Sequence, residues 1–310
     1  MPIVKPTEMN FSTKNIIMIV SGLPGTGKTT LALSAPDVLL IDTDEGLARV
    51  NPAHRKDASV CKTYEEILAD LKAAEGTYKT IVIDTCGALI EYMKDWAMRT
   101  DPKASKTNGG FSLQGYGVIK SEFIRLSAEL RKKFNVIYLF HESMTKNGDE
   151  GVFYELVVEG SARTLVYQPA DLAGHIFIDH GKRYIGFTPT EQYSAKSAYG
   201  IKGIIEIPEL TDGAPNDFLT KLFAKVRDNL AAESKSLAPE KEKYDAAMAE
   251  AKRACEAVNK PDDVAPAAKY IKSLEHALTS EKESMAMLKK RLEELGIVWN
   301  KSTKTYEYKS

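Results

Sequence analysis

Gly22-Leu23-Pro24-Gly25-Thr26-Gly27-Lys28-Thr29-Thr30 (GLPGTGKTT) decides how this chain is read. Gly22 to Thr29 fits Gly-x-x-x-x-Gly-Lys-[Ser/Thr], and each fixed position has a physical reason. The glycines let the backbone fold back, so that several N–H groups point inward at phosphate oxygens. A helix starting near Lys28 turns its positive end toward the same anion. The Lys28 ammonium reaches the β- and γ-phosphates, and the Thr29 hydroxyl ligates Mg²⁺. The residues just before the motif, Ile16 to Ser21 (IIMIVS), form a short apolar, β-branched run, as a buried parallel strand requires. That strand–loop–helix context separates a phosphate loop from a chance match. The expected ligand is a nucleoside triphosphate, ATP with magnesium.

Outward from the loop, strands and helices alternate. The helix after the loop should stop before Pro36. Val38–Asp42 (VLLID), Thr80–Asp84 (TIVID) and Val136–Phe140 (VIYLF) are further buried strands. Thr63 with Glu66 makes a capping-box pattern ahead of Ile67, Leu68 and Leu71. Val118–Leu130 sets Val118, Phe123, Leu126 and Leu130 at helical spacing. This rhythm predicts an α/β fold with a mainly parallel, doubly wound sheet. After Gly151 the pattern turns strand-rich (Val152–Val158, His175–Asp179, Arg183–Thr188, Gly203–Ile207), which predicts hairpins attached to the sheet. Near residue 230 the composition shifts to Ala, Glu and Lys, with breaks around Pro239, Pro261 and Pro266. The expected organisation is a core over residues 1–228. A helical region follows over 229–310, ending in a small hairpin between Trp299 and Tyr306.

In α/β sheets ligands bind at the carboxyl ends of the strands, and three strand ends here are polar. Asp84 ends TIVID and is the expected second anchor for hydrated Mg²⁺, while it or Thr85 caps the next helix. Asp42, Asp44 and Glu45 crowd the end of VLLID. A carboxylate there can orient a water toward the γ-phosphate, with Asp44 and Glu45 as alternatives. His141-Glu142 ends VIYLF, and a polar group at His141 can report loss of the γ-phosphate.

The bulk numbers exclude several classes. A formal net charge of −1 gives no global attraction to nucleic acid or membrane. No apolar run reaches the ~18 residues that span a bilayer. The polar start MPIVKPTEMNFSTK, followed by the short run Ile16–Val20, is not expected to be a signal peptide. Cys61, Cys86 and Cys255 form no CxxC pair, so zinc and a disulfide framework are not expected and a reducing cytoplasm fits.

With these strand ends in place, the chain resembles the RecA-like, AAA-type P-loop ATPases. Within them it is similar to phage P-loop nucleotide-binding proteins, a group that includes core-only phage recombinases active in single-strand annealing. The resemblance spans about Ile16 to Pro208. It rests on SGLPGTGKTT, LLIDTDEG, TIVIDT, VIYLFHE and QPADLAGH…YSAKSAYGI. It implies a RecA-like core that binds Mg-ATP at subunit interfaces of a homo-oligomer and hydrolyses it slowly. It also implies Asp84 as the second acidic motif, Asp44 or Glu45 at the site of the recombinases' catalytic glutamate, and His141 at the sensor strand end. Two departures stand out. This chain reads IDTDEG where recombinases usually read IDTEG. Relatives tend to carry a Lys and, two residues on, an Arg that reach the neighbouring subunit's ATP. Here Lys196 matches the Lys, but Ala198 stands at the Arg position.

Asp101–Gly117 (DPKASKTNGGFSLQGYG) is expected as a long loop whose Lys103, Lys106, Phe111 and Tyr116 suit single-stranded DNA, cations on phosphates and rings on bases. Trp299, Tyr306 and Tyr308 with Lys301, Lys304 and Lys309 form a candidate docking element for DNA or protein. The function expected is a Mg-ATP-dependent DNA recombination or annealing protein, an oligomer on single-stranded DNA in the cytoplasm of a bacterial host. The alternative is an NTP-regulated loader or adaptor that engages a replication or single-strand-binding protein and has little DNA affinity of its own. A small-molecule kinase is disfavoured, because the sequence shows neither a basic lid nor an acceptor site.

Overall fold

Apolar runs that stay buried along their whole length make the centre of the sheet. In the computed structural model, every residue of β1 (Ile17–Gly22), β2 (Val38–Asp42) and β4 (Thr80–Asp84) is buried. Strands covered on both faces need continuous rather than alternating apolar sequence. The structure describes residues 13–146, 151–158, 162–211, 213–236 and 238–309. The polar N-terminal start expected above lies outside the described residues as far as residue 12.

The remaining elements up to the C-terminal helices are α1 (Lys28–Ala32), β3 (Ala58–Ser59), α2 (Tyr64–Ala73), α3 (Cys86–Thr100), α4 (Leu113–Lys133), β5 (Asn135–Lys146), β6 (Val152–Leu156), α5 (Ala162–Tyr167), β7 (Leu172–Asp179), β8 (Lys182–Gly186) and β9 (Ile204–Ile207). Among the described residues these nine strands form one sheet in the order β3-β2-β4-β5-β1-β7-β8-β9, with β6 on the far half of β5. The strands from β3 to β7 pair in parallel. β6, β8 and β9 add antiparallel edges. β5 thus stands between the phosphate-loop strand β1 and the Asp84 strand β4. The strand-rich segment is only partly hairpins. β7 joins the central sheet, with Met18 to Ser21 of β1 facing Leu172 to His175 in parallel register.

Helix starts follow their caps. The Thr63 hydroxyl accepts from Glu66 N at 3.2 Å to start α2. Thr85, not Asp84, caps α3, accepting from Ala88 N at 3.3 Å, and this leaves the Asp84 carboxylate free for other work. The loop expected over Asp101–Gly117 is shorter than that. Ser112 Oγ accepts from Gly115 N at 3.0 Å, so α4 already begins at Leu113. Leu113 is 88% exposed and blurs the helical period in the sequence. Gly115 is required, because a Cβ there would meet the Phe111 ring at 2.7 Å and Ala104 O at 2.9 Å.

The described residues divide into two units, one up to Asn229 and one from Leu230, a boundary that falls inside α6 (Phe218–Ser236). The first has its core under the sheet, around Ile19, Ile41, Ile83, Phe123 and Phe140. The second contains α7 (Ala238–Ala257), α8 (Val264–Ser273) and α9 (Ser280–Leu295), packed on Ala251, Cys255, Val264, Ile271 and Leu288. It ends in the hairpin of β10 (Ile297–Asn300) and β11 (Thr305–Tyr308), where Trp299 pairs with Tyr306. Among the described residues no helix is long and apolar enough to cross a membrane.

Candidate nucleotide-binding site

β1 gives way at Gly22 to a loop that only glycine could build. A Cβ on Gly22 would stand 2.5 Å from the Ile176 side chain and 2.6 Å from its carbonyl. Gly25 and Gly27 take φ of 82° and 93°, the left-handed region that L side chains avoid. Thr26 Oγ1 donates back to Leu23 O at 2.9 Å, tightening the turn. The loop ends on the N-terminus of α1. Lys28 runs back across it, its ammonium donating to Gly22 O and Leu23 O at 2.9 Å each. Burial lowers the Lys28 pKa, and Asp84, Glu142 and Asp44 counter that shift.

Thr29 Oγ1 donates to Asp84 Oδ2 at 2.6 Å. Burial raises the Asp84 pKa; the Thr29 bond opposes the shift, and the neighbouring Asp42 and Asp44 add to it. A hard divalent cation would relieve that repulsion, and hydroxyl and carboxylate oxygens are the donors Mg²⁺ prefers. Among the described residues no group of three or more His, Cys, Asp or Glu could hold a metal ion. Thr29 and Asp84 therefore suit an ion that takes its other ligands from phosphate and water.

The IDTDEG segment is a tight turn with one task per residue. Asp42 accepts from Gly46 N at 2.7 Å and Leu47 N at 3.0 Å, so its carboxylate is spent on the turn. Gly46 lies against Thr29 and Asp84, where a Cβ would stand 2.8 Å from Asp84 Oδ2 and 3.5 Å from Thr29 Oγ1. Asp44 reaches Arg49 at 3.3 Å and His141 Nε2 at 3.4 Å. Its charge acts on both Lys28 and Asp84. Glu45 is exposed, sits at φ 50°, and its charge acts on Tyr92.

The structure thus brings Lys28, Thr29, Asp84, Asp44 and His141 together at the ends of adjacent strands. Lys196 is elsewhere in the chain. Its backbone bridges Ala173, and its ammonium donates to Gln168 O at 3.1 Å and Tyr167 O at 3.4 Å, closing the C-terminus of α5. Of the candidate DNA-contact residues, Lys103 and Lys106 are exposed, whereas Phe111 packs edge-on against Tyr116 with ring centroids 5.0 Å apart.

Sequence reading missed the residue beside His141. Glu142 and His175 lie on strands either side of β1, with side chains 2% and 3% exposed and Glu142 Oε2 2.8 Å from His175 Nδ1. Among the described residues neither atom has an aligned hydrogen bond. The His175 ring stacks on Tyr193 at 4.2 Å. The signal was two polar residues closing apolar strands, but 33 residues separate them and only the strand order joins them.

A family model described as an AAA domain matches residues 14–199. The chain belongs to that AAA-domain family. Within this AAA domain, the phosphate loop, the Thr29–Asp84 bond and the Asp44–His141 contact all fall inside the matched span. Among solved structures, the chain is similar to the flagellar accessory protein FlaH from Methanocaldococcus jannaschii. The two share 15% identity, with a TM-score of 0.28 over 63% of this chain and 91% of that one. No curated protein matches the chain.

Asp84 supplies a test independent of turnover. A carboxyl group whose pKa is raised by folding favours the folded state at low pH. That contribution is lost as pH rises through the raised value, and above it the fold carries the full cost of the buried charge. Asp84→Asn should therefore raise the melting temperature of the nucleotide-free protein at pH 8 by about 2–4 °C. The gain should shrink toward pH 4, while magnesium-dependent nucleotide binding is lost. A lower melting temperature at pH 8 would contradict the electrostatic account.

Proposed function

We propose that this AAA domain binds Mg-ATP and hydrolyses it, working as a homo-oligomer in DNA recombination or single-strand annealing. The observation that carries the nucleotide reading is the 2.6 Å bond between Thr29 and Asp84 beside the Lys28 ammonium. It sets the two expected magnesium ligands side by side, one on the phosphate loop and one on the acidic strand. In this reading Lys28 binds the β- and γ-phosphates, and the loop from Gly22 to Thr30 lines the phosphate path with its backbone N–H groups, Pro24 having none. Thr29 and Asp84 hold the ion. When bound, magnesium neutralises charge on the β- and γ-oxygens.

For the base we assign Asp44 over Glu45. Asp44 is the carboxylate coupled to Lys28 and Asp84, and it lies within reach of His141. His141 then holds Asp44 and reads the γ-phosphate from the β5 strand end. Asp44→Asn should leave ATP affinity within a few-fold but slow hydrolysis by about 10² or more, whereas Glu45→Gln should cost less than about fivefold. Single-turnover kinetics check this, and the opposite ranking would transfer the role to Glu45.

Support for the DNA reading is the exposed pair Lys103 and Lys106 on the loop before α4. The alternative, an NTP-regulated adaptor of a replication or single-strand-binding protein, gains support from Phe111, whose ring is tied to Tyr116 rather than splayed for a base. ATPase rates with and without single-stranded DNA, read beside light scattering, separate them. The recombination reading expects stimulation of at least severalfold together with assembly. An unchanged rate with no DNA binding favours the adaptor.

Lys196 serves this reading only from a neighbouring subunit, after releasing Tyr167 O and Gln168 O. Lys196→Ala and Lys28→Ala subunits, each inactive alone, should regain part of the activity when mixed, because one of the two mixed interfaces is whole. No recovery in assemblies shown to be mixed removes Lys196 from the site.

A further inference from the structure

A cavity of about 490 Å³ adjoins the phosphate loop. Gly27, Thr30 and Leu31 form its loop side, and Ile176, Ile205 and Ile207 are among its apolar walls. Its polar members near the loop are largely engaged. Asn216 Nδ2 donates to Thr30 O at 2.8 Å, and Lys221 pairs with Asp217 at 2.9 Å. Arg183 also lines this cavity. It sits on β8, where the antiparallel register with β7 places it opposite Ile178.

The Arg183 side chain lies against the phosphate loop itself. A Cβ built on Gly27 would stand 3.2 Å from Arg183 Nε, 3.6 Å from Cδ and 4.0 Å from Cζ. The guanidinium therefore rests over the bare Cα of Gly27, where the loop opens into the cavity. Arg183 is exposed, and among the described residues no carboxylate pairs with it. Neighbouring charges have other partners, Lys182 with Glu206 at 3.0 Å and Asp179 with His180 at 3.7 Å. An arginine keeps its charge at every working pH and presents a fork matched to phosphate oxygens.

On the reading that Gly22 to Thr29 encloses the β- and γ-phosphates, the next group outward is the α-phosphate. A nucleotide whose nucleoside fills the cavity brings that phosphate past Gly27 and Thr30, under Arg183. We infer that Arg183 is a cis-acting clamp on the α-phosphate of the bound nucleotide. It strengthens binding of ADP and ATP alike, because both carry that phosphate. It does not act on the γ-phosphate, so it does not substitute for a cation offered by a neighbouring subunit.

The test measures Kd for Mg-ATP, Mg-ADP and the two diastereomers of the α-thio analogue of ATP by calorimetry, on wild type, Arg183→Ala, Arg183→Lys and Lys28→Ala. Arg183→Ala should weaken ATP and ADP by about tenfold or more, the scale of a charge-assisted contact. It should also erase the preference between the diastereomers. Arg183→Lys should recover most of the affinity but not the diastereomer preference, since a point charge replaces the fork. Unchanged affinity in Arg183→Ala would overturn the clamp. So would a loss confined to kcat, or a loss of affinity with the diastereomer preference kept, which is the pattern of an arginine stacked on the base. If wild type binds no ATP, or Lys28→Ala binds it normally, the nucleotide site fails as a whole and the clamp falls with it.

Discussion

Everything at the site depends on where β1 stops. It ends at Gly22, while its neighbours run on, β5 to Lys146 and β7 to Asp179. The early stop leaves a gap between two longer strands, and the phosphate loop fills it. Ile176, the first β7 residue beyond the paired stretch, presses on Gly22 so closely that no side chain fits there. Backbone groups freed from the sheet at this point need partners. Two carbonyls, those of Gly22 and Leu23, take the Lys28 ammonium. The same gap lets Glu142 and His175 meet from strands that β1 otherwise holds apart.

The next constraint is crowding at the end of β2 and β4. Asp42 and Asp84 are paired residues in the register of these strands, and both are buried. Two carboxylates so placed repel each other unless each has donors. Asp42 is supplied by two backbone N–H groups of the turn that follows it, and Asp84 by Thr29. The turn brings Gly46 against Asp84 and so admits no side chain there. Asp44 and Glu45 are left on its crest, one facing His141 and the other turned outward.

Local signals carried most of the fold. The loop from Gly22 to Thr29 was legible because its glycines answer a backbone requirement. The strands were legible because burial on both faces demands unbroken apolar runs. Helix starts showed where a hydroxyl capped them, as at Thr63. The start of α4 did not show, since Leu113 is exposed and Gly115 and Gly117 read as loop, although Gly115 is there for contact with Phe111. The site was legible only one strand end at a time. Proposing Asp44 rather than Glu45 as the base needed the Asp44–His141 contact and the exposure of Glu45, neither of which is written in the sequence. The Glu142–His175 pair needed the strand order. Arg183 needed the β7–β8 hairpin register, which folds residue 183 back to residue 27. Distances along the chain of 33 and 156 residues leave no local trace.

The charge balance gives the arrangement its final restriction. The charges of Asp84, Glu142 and Asp44 all act on the Lys28 ammonium, so three carboxylates bear on one cation at the loop. Opposed charges within about 4 Å at an effective dielectric of 20 interact by about 4 kcal/mol, and like charges repel on the same scale. A bare triphosphate entering such a site meets more negative charge than positive. Backbone N–H groups and the positive end of α1 offset part of that excess, but they carry only fractional charge. A divalent ion held by Thr29 and Asp84 would remove two units of it where the carboxylates are densest. On the proposed Mg-ATP reading, the same acidic excess that orients a water for attack would also make the metal necessary for binding, so that altering Asp84 alone would disturb both functions together.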